Sequence, residues 1–91
     1  MSSRVCRHAP TVRSHELGDE LTLFDTATGR AVALNGTARD IWALVDGESD
    51  VDDIVQTLAS AYRVEPALIV ADVEMALTQL EEVEVLVPAV R

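Results

Sequence analysis

The side chains able to do chemistry in this 91-residue chain are few and scattered. Cys6 is its one cysteine, and a thiol becomes a nucleophile only where neighbours favour the thiolate. Nothing near Cys6 in the sequence does so, and the reading is an inert thiol in a mobile segment. His8 and His15 stand seven residues apart with no thiol or carboxylate at metal-ligand spacing. Ser49 and Ser60 have no histidine on the structured body to act as their base. Asp52-Asp53 falls where a helix begins, and carboxylates there favour the helix dipole. Gly18, Gly29, Gly36 and Gly47 occur singly, so no glycine-rich loop exists to cradle a phosphate. The three aromatic residues give little material for a deep pocket. The expectation is a protein that is not an enzyme and holds no cofactor and no metal.

Composition narrows the classes further. Apolar residues make up 48% and charged residues 25%, too apolar for a disordered chain, and the length suits one domain. A lone cysteine excludes an internal disulfide framework and suits a reducing, cytoplasmic location. Ala67 to Ala71, an apolar stretch that no other exceeds in length, is far too short to span a bilayer. Residues 1–15 carry three arginines and no acid, while the rest sums to −12 and the whole to −9. A body so acidic repels phosphate backbones and anionic lipid, which argues against nucleic acid and membrane as partners.

Elements that would position a site follow from periodicity. Residues 1–9 lack a pattern and are expected to be a flexible N-terminus. Thr11–His15 reads as a short strand, Leu21–Phe24 as a second, and Arg30–Leu34 as a third, joined to the second by a five-residue turn ending at Gly29. Asn35-Gly36 breaks the chain. Thr37 then caps a helix, with Asp40 in its first turn, the stripe Ala38, Ile41, Trp42, Val45, and Gly47 at its end. Ser49 with Asp52 opens a second helix, buried along Val51, Ile54, Val55, Leu58 and Ala61. The third runs from Pro66 to Glu82 with a core stripe of Ile69, Val73, Ala76, Leu77 and Leu80. An apolar tail, Val83–Val87, ends at Pro88. Strands segregated from helices mean an α+β fold, winged-helix-like, with three N-terminal antiparallel strands followed by three helices. The domain is expected over 10–87, with 88–91 as a tail.

The third helix is apolar on more than one side. Leu68, Ala71 and Met75 form a second line that continues to Gln79 and Val83, and this line needs a cover other than the core. The third strand has no proline and no lysine to guard it as a sheet edge, and its alanines permit close approach. An open edge beside an apolar helix wall is the geometry of β-augmentation, in which the backbone supplies affinity and side-chain pockets supply selectivity. The candidate peptide-binding residues are Arg30, Ala31, Val32, Ala33 and Leu34 on the strand, with Leu68, Ala71, Asp72, Met75, Ala76 and Gln79 on the helix.

The run Leu34-Asn35-Gly36-Thr37-Ala38-Arg39-Asp40-Ile41-Trp42 resembles the LN-x-T/S-A/G-x-x-I-W/L signature of PqqD-like proteins. Asp46-Gly47, the helix from Val51 to Tyr62, and Asp72-Val73 continue the likeness, which covers about residues 17–87. These proteins are the recognition elements of ribosomally made, post-translationally modified peptides. The resemblance implies that a precursor's leader peptide binds as an extra strand beside the third strand, against the third helix. It also implies that the protein does no chemistry itself and presents the peptide to separate enzymes. The hairpin Leu21–Arg30 is most similar to the stand-alone proteins of lasso-peptide clusters. Their partners are a cysteine-protease-type leader peptidase and an ATP-dependent cyclase. The family usually has a glycine after its third helix, and Glu82-Val83-Glu84-Val85-Leu86-Val87 has none.

The leading reading is therefore a leader-binding adaptor of lasso-peptide biosynthesis, acting as a monomer or weak dimer. The runner-up is a peptide chaperone of pyrroloquinoline-quinone biosynthesis, whose partner is a radical-SAM enzyme. A winged-helix DNA-binding protein is a different class, and the acids Asp72, Glu74, Glu81 and Glu82 on the third helix oppose it, since a recognition helix needs basic or amide side chains. A purely structural subunit using the same apolar surface is a third class.

Overall fold

The structure, a computed structural model, describes residues 4–34 and 36–89. The parts of the expected flexible N-terminus and tail that fall on 1–3 and 90–91 lie outside the described residues, as does Asn35. In chain order come β1 (Cys6–His8), β2 (Val12–Leu17), β3 (Glu20–Asp25), β4 (Ala31–Leu34), α1 (Gly36–Leu44), α2 (Val51–Tyr62), a 3-10 turn (Pro66–Leu68), α3 (Val70–Glu82) and β5 (Leu86–Pro88). The α+β expectation holds. β2, β3 and β4 form an antiparallel sheet in that order, and the three expected strands are these three. β1 and β5 pair separately, with Arg7 opposite Val87.

Alternation decides which sheet face is covered. Leu21 and Leu23 of β3 pair with Leu34 and Val32 of β4, and this face closes on the helices. Leu23, Ile41, Val73, Leu77, Val85 and Leu86 are almost fully excluded from solvent, joining sheet, helices and C-terminal strand in one core. Burying each such side chain contributes about 1.5–3 kcal/mol. The other face carries Thr22 and Phe24 of β3 beside Ala33 and Ala31 of β4, and there Phe24, Ala31 and Ala33 are exposed.

Several local expectations are corrected. Residues 4–9 are built into the fold: Val5 bridges Asp50, Val51 N–H donates to Arg4 O, and Ala89 N–H donates to Val5 O. Burial of Val5, Cys6 and Ala9 supplies the energy that an aperiodic segment conceals in sequence. Cys6 is therefore a buried thiol, not a mobile one. Its pKa is raised, first by burial, with the contact to Arg4 acting in the opposite sense and Glu81 adding to the rise.

Helix boundaries also shift. α1 begins at Gly36, so Thr37 lies inside it and Asp40 is beyond its first turn. It ends at Leu44, and Gly47 falls in the linker, where Asp46 accepts from the N–H groups of Glu48 (2.9 Å) and Ser49 (2.7 Å). With Ser49 spent on that turn, Asp50 caps α2. Asp53 N–H donates to Asp50 Oδ1 at 2.9 Å and Asp50 N–H to Asp53 Oδ2 at 3.0 Å, a reciprocal capping box. Along α2 the buried alanine is Ala59; Ala61 is exposed, on the side of the helix that lines a hollow against α1. The stretch after Pro66 is a 3-10 turn, and α3 proper starts at Val70 because Ile69 leaves helical geometry at φ −120°.

α2 and α3 both end on a non-glycine residue in the left-handed region. After α3, Glu84 has φ 65°; Val85 N–H reaches Leu80 O (3.1 Å) and Glu84 N–H reaches Glu81 O (3.0 Å). This is a Schellman ending with glutamate where glycine is favoured. It answers the missing glycine noted in the sequence: the tail makes the usual turn and continues into β5. Arg63, at φ 59°, plays the same part after α2.

Candidate functional site: an open sheet edge beside a helix

The three-stranded sheet has two edges, and they differ. Just before β4, Asp25 N–H donates to Arg30 O at 2.9 Å. Bonded and non-bonded pairs alternate along an antiparallel ladder. Arg30, Val32 and Leu34 therefore turn their backbone groups toward β3, while Ala31 and Ala33 turn theirs to the open side. On β2, Thr26 N–H donates to Thr11 O at 3.0 Å, and the same alternation leaves Val12, Ser14 and Glu16 facing outward. That edge is blunted by side chains. Arg13 donates to the carbonyls of Val12 (3.3 Å) and Pro10 (3.2 Å), and Arg39 Nη2 lies 3.5 Å from Glu16 Oε1. Charged cover of this kind keeps an edge from pairing.

Beside β4 lies a shallow cleft of about 260 Å³. Val32, Ala33 and Leu34 form one wall, Ala76, Gln79, Leu80 and Val83 of α3 the other, and Ala38 of α1 closes one end. Gln79 is the one polar side chain among them. A hollow of about 350 Å³ between β2 and α1 is larger, but its Glu16 and Arg39 pair with each other across it, and it adjoins the blunted edge. Among the described residues no group of three or more His, Cys, Asp and Glu side chains could hold a metal ion. No helix there is long and apolar enough to cross a membrane.

The family model for coenzyme PQQ synthesis protein D (PqqD) matches residues 20–86, from the start of β3 into β5. The chain belongs to the PqqD family. Two solved structures share its fold. TbiB1 in complex with the TbiA(beta) leader peptide is 25% identical, with a TM-score of 0.78 over 88% of this chain and 93% of that one. Lasso peptide synthetase B1 complexed with the leader peptide is 30% identical, with a TM-score of 0.76 over 91% of this chain and 98% of that one. No curated protein sequence matches.

Within this PqqD domain the expected binding residues fall into three groups. Val32, Ala33, Leu34, Ala76 and Gln79 line the cleft. Arg30 and Ala31 continue its strand wall and are exposed. Ala71, Asp72 and Met75 lie exposed on α3, and Leu68 on the 3-10 turn; none of these four lines the cleft. Ala38, Leu80 and Val83 line it without having been counted. Ala38 and Leu80 read as core by periodicity, and a residue on the border of a core stripe serves both surfaces. Val83 stood on the second apolar line, three and four residues being the spacing of one helix face.

The loop that leads into β4 is held by Asp25, the one buried carboxylate among the described residues. Its Oδ1 accepts from the Thr11 hydroxyl at 2.8 Å and from Ala27 N–H at 2.9 Å, and Gly29 N–H donates to Asp25 O at 2.8 Å. The Thr11 bond first, then the Ala27 N–H, lowers the Asp25 pKa below 3.8. α3 is anchored from its other side. The Arg4 guanidinium pairs with Glu81 and donates to Thr78 Oγ1 at 3.2 Å, and Cys6 Sγ lies 3.7 Å from the same Glu81 carboxylate. These contacts fix the strand wall and the helix wall of the cleft independently.

Proposed function

We propose that this chain is a non-catalytic adaptor that binds the leader segment of a ribosomally made precursor peptide by strand addition to β4. It presents the rest of the precursor to modifying enzymes of lasso-peptide biosynthesis. The observation that carries the reading is the setting of β4: Ala31 and Ala33 turn their backbone groups to the open side beside an apolar cleft, whereas at the β2 edge Arg13 holds the Val12 carbonyl and Arg39 pairs with the Glu16 side chain. Main-chain pairing gives affinity and the cleft gives selectivity. Two proteins of the same fold, at 25% and 30% identity, are known in complex with leader peptides, which supports the same ligand class here. The enzymes served are a leader peptidase and an ATP-dependent cyclase, and the site of action is the cytosol. The binding surface includes Arg30, the β4 residues Ala31–Leu34 and the α3 residues Ala76 and Gln79, with Asp72 and Met75 beyond the cleft on the same helix.

A peptide chaperone of pyrroloquinoline-quinone biosynthesis is the second reading, favoured by the description of the family model itself. Nucleic-acid binding is opposed by the exposed Asp72, Glu74 and Glu82 on α3.

The test is a fluorescence-polarisation titration with a labelled leader peptide of a lasso-peptide precursor. Binding to the wild type, and its loss in Ala31→Pro and in Ala33→Pro with the fold retained, is the expected result. Proline removes an outward N–H at either position and none from the β3–β4 ladder. Undiminished affinity in both variants would reject strand addition at β4. Tight binding of duplex DNA at physiological salt would reject the adaptor reading.

A further inference from the structure

Strand addition at β4 has a second face. Ala31 and Ala33 turn their backbone groups to the open edge, and their side chains lie on the uncovered face of the sheet. A peptide residue bonded to either one points to that same face, since directly opposite residues share a side. Half of the added strand's side chains therefore face away from α3 and the cleft. The next strand inward places Phe24 directly opposite Ala31. Phe24 is 45% exposed, a large aromatic side chain on an uncovered sheet face.

We propose that Phe24, with Ala31 and Ala33 as a low shelf before it, is a second side-chain subsite for the leader peptide, taking an aromatic or large aliphatic residue on the outward face. The proposal rests on strand addition at β4 and adds which outward residue is selected. Neighbouring strands lie about 4.8 Å apart, so an outward peptide residue opposite Ala31 starts roughly 10 Å from Phe24. Alanine between them stops at one carbon. An aromatic or leucine side chain laid across Ala31 and the Phe24 ring together span that distance. Cross-strand aromatic pairs are among the stronger contacts on an exposed sheet face. The site is continuous with the open edge through the two alanines themselves. On its far side it is bounded by Arg13, which pairs in register with Phe24 and whose guanidinium caps the β2 edge. Recognition is thus two-sided: inward residues fill the α3 cleft, and one outward residue covers Phe24.

The test is an mRNA-display selection of randomised ten-residue peptides on the full chain, run in parallel on the wild type, Phe24→Ser and Ala31→Leu. Thermal melts confirm that each variant folds. The wild type should enrich apolar residues at alternating inward positions and an aromatic or large aliphatic residue at one outward position. Phe24→Ser should lose the outward preference and keep the inward ones. Ala31→Leu, which fills the shelf, should shift the outward position to small residues. The best wild-type peptide, labelled, should bind Phe24→Ser about 2- to 12-fold more weakly, the range for one aromatic pair. An unchanged outward preference on Phe24→Ser, or a random outward position on the wild type, would overturn this subsite and leave the adaptor reading standing. No enrichment at all on the wild type would overturn the adaptor reading, and the subsite with it.

Discussion

His8 lies flat on Trp42, with ring centroids 3.7 Å apart and planes within 2°. Its Nε2 is 2.9 Å from Trp42 O, a carbonyl in the last turn of α1. One side chain of the N-terminal strand therefore both stacks on α1 and caps its end. α1 also contributes Ala38 to the cleft beside β4, so β1 supports that cleft from behind. His8→Ala should lower stability by about 1 kcal/mol through loss of the stack and the cap. Trp42 is the sole tryptophan, so its emission in a urea titration reads both the changed environment and the shifted midpoint. An unchanged midpoint would show that the His8 side chain adds nothing to α1.

Met75 and Leu77 separate the two faces of α3. Leu77 is 1% exposed and Met75 is 58% exposed. Leu77→Ala should cost about 2–5 kcal/mol in chemical unfolding. Met75→Ala should stay within about 0.5 kcal/mol of the wild type, as for a surface change, and lower leader affinity instead. Equal losses of stability would contradict this division of the helix.

Asp25 makes the fold sensitive to acid. Its carboxyl is held below its ordinary 3.8 by the Thr11 hydroxyl first and the Ala27 N–H second. A lowered folded-state pKa means that the unfolded chain binds the proton first. The stabilisation is therefore fully present above the ordinary value, and it is lost as pH falls from 3.8 through the depressed folded value. Asp25→Asn should be less stable than the wild type at pH 7, and the gap should narrow as pH falls through that window. The hairpin loop before β4 should loosen in the same variant. Parallel stability–pH curves for the two proteins would show that Asp25 titrates alike in both states.

Glu84 occupies a left-handed position at φ 65° that a Cβ disfavours. Glu84→Gly relieves roughly 1–2 kcal/mol of backbone strain and returns part of it as unfolded-chain entropy, for a net gain of about 0.5–1 kcal/mol. A higher melting temperature with unchanged leader affinity is expected, because Glu84 touches neither wall of the cleft. A lower melting temperature would mean that the glutamate side chain stabilises the turn.

The order of three strands and three helices and the core stripes of Ile41, Val73, Leu77 and Leu80 were legible in the residues themselves. Periods of two and 3.6 record which face of an element is buried, and that information is local. The reciprocal Asp50–Asp53 cap lay one residue from the predicted start of α2, because Ser49 serves Asp46 instead, and either residue type can cap a helix. The pairing of β1 with β5 joins the two ends of the chain, and no short window contains it. The same holds for Arg4 on Glu81, across 77 residues, and for His8 on Trp42. Which sheet edge stays open was likewise a tertiary matter. β2 and β4 both read as short strands, and only the tertiary positions of Arg13 on the Val12 carbonyl and of Arg39, twenty-three residues beyond the Glu16 it meets, set the β2 edge apart from that of β4. Periodicity reports burial along one element; it cannot report which charged side chain, arriving from another element, has already taken the edge.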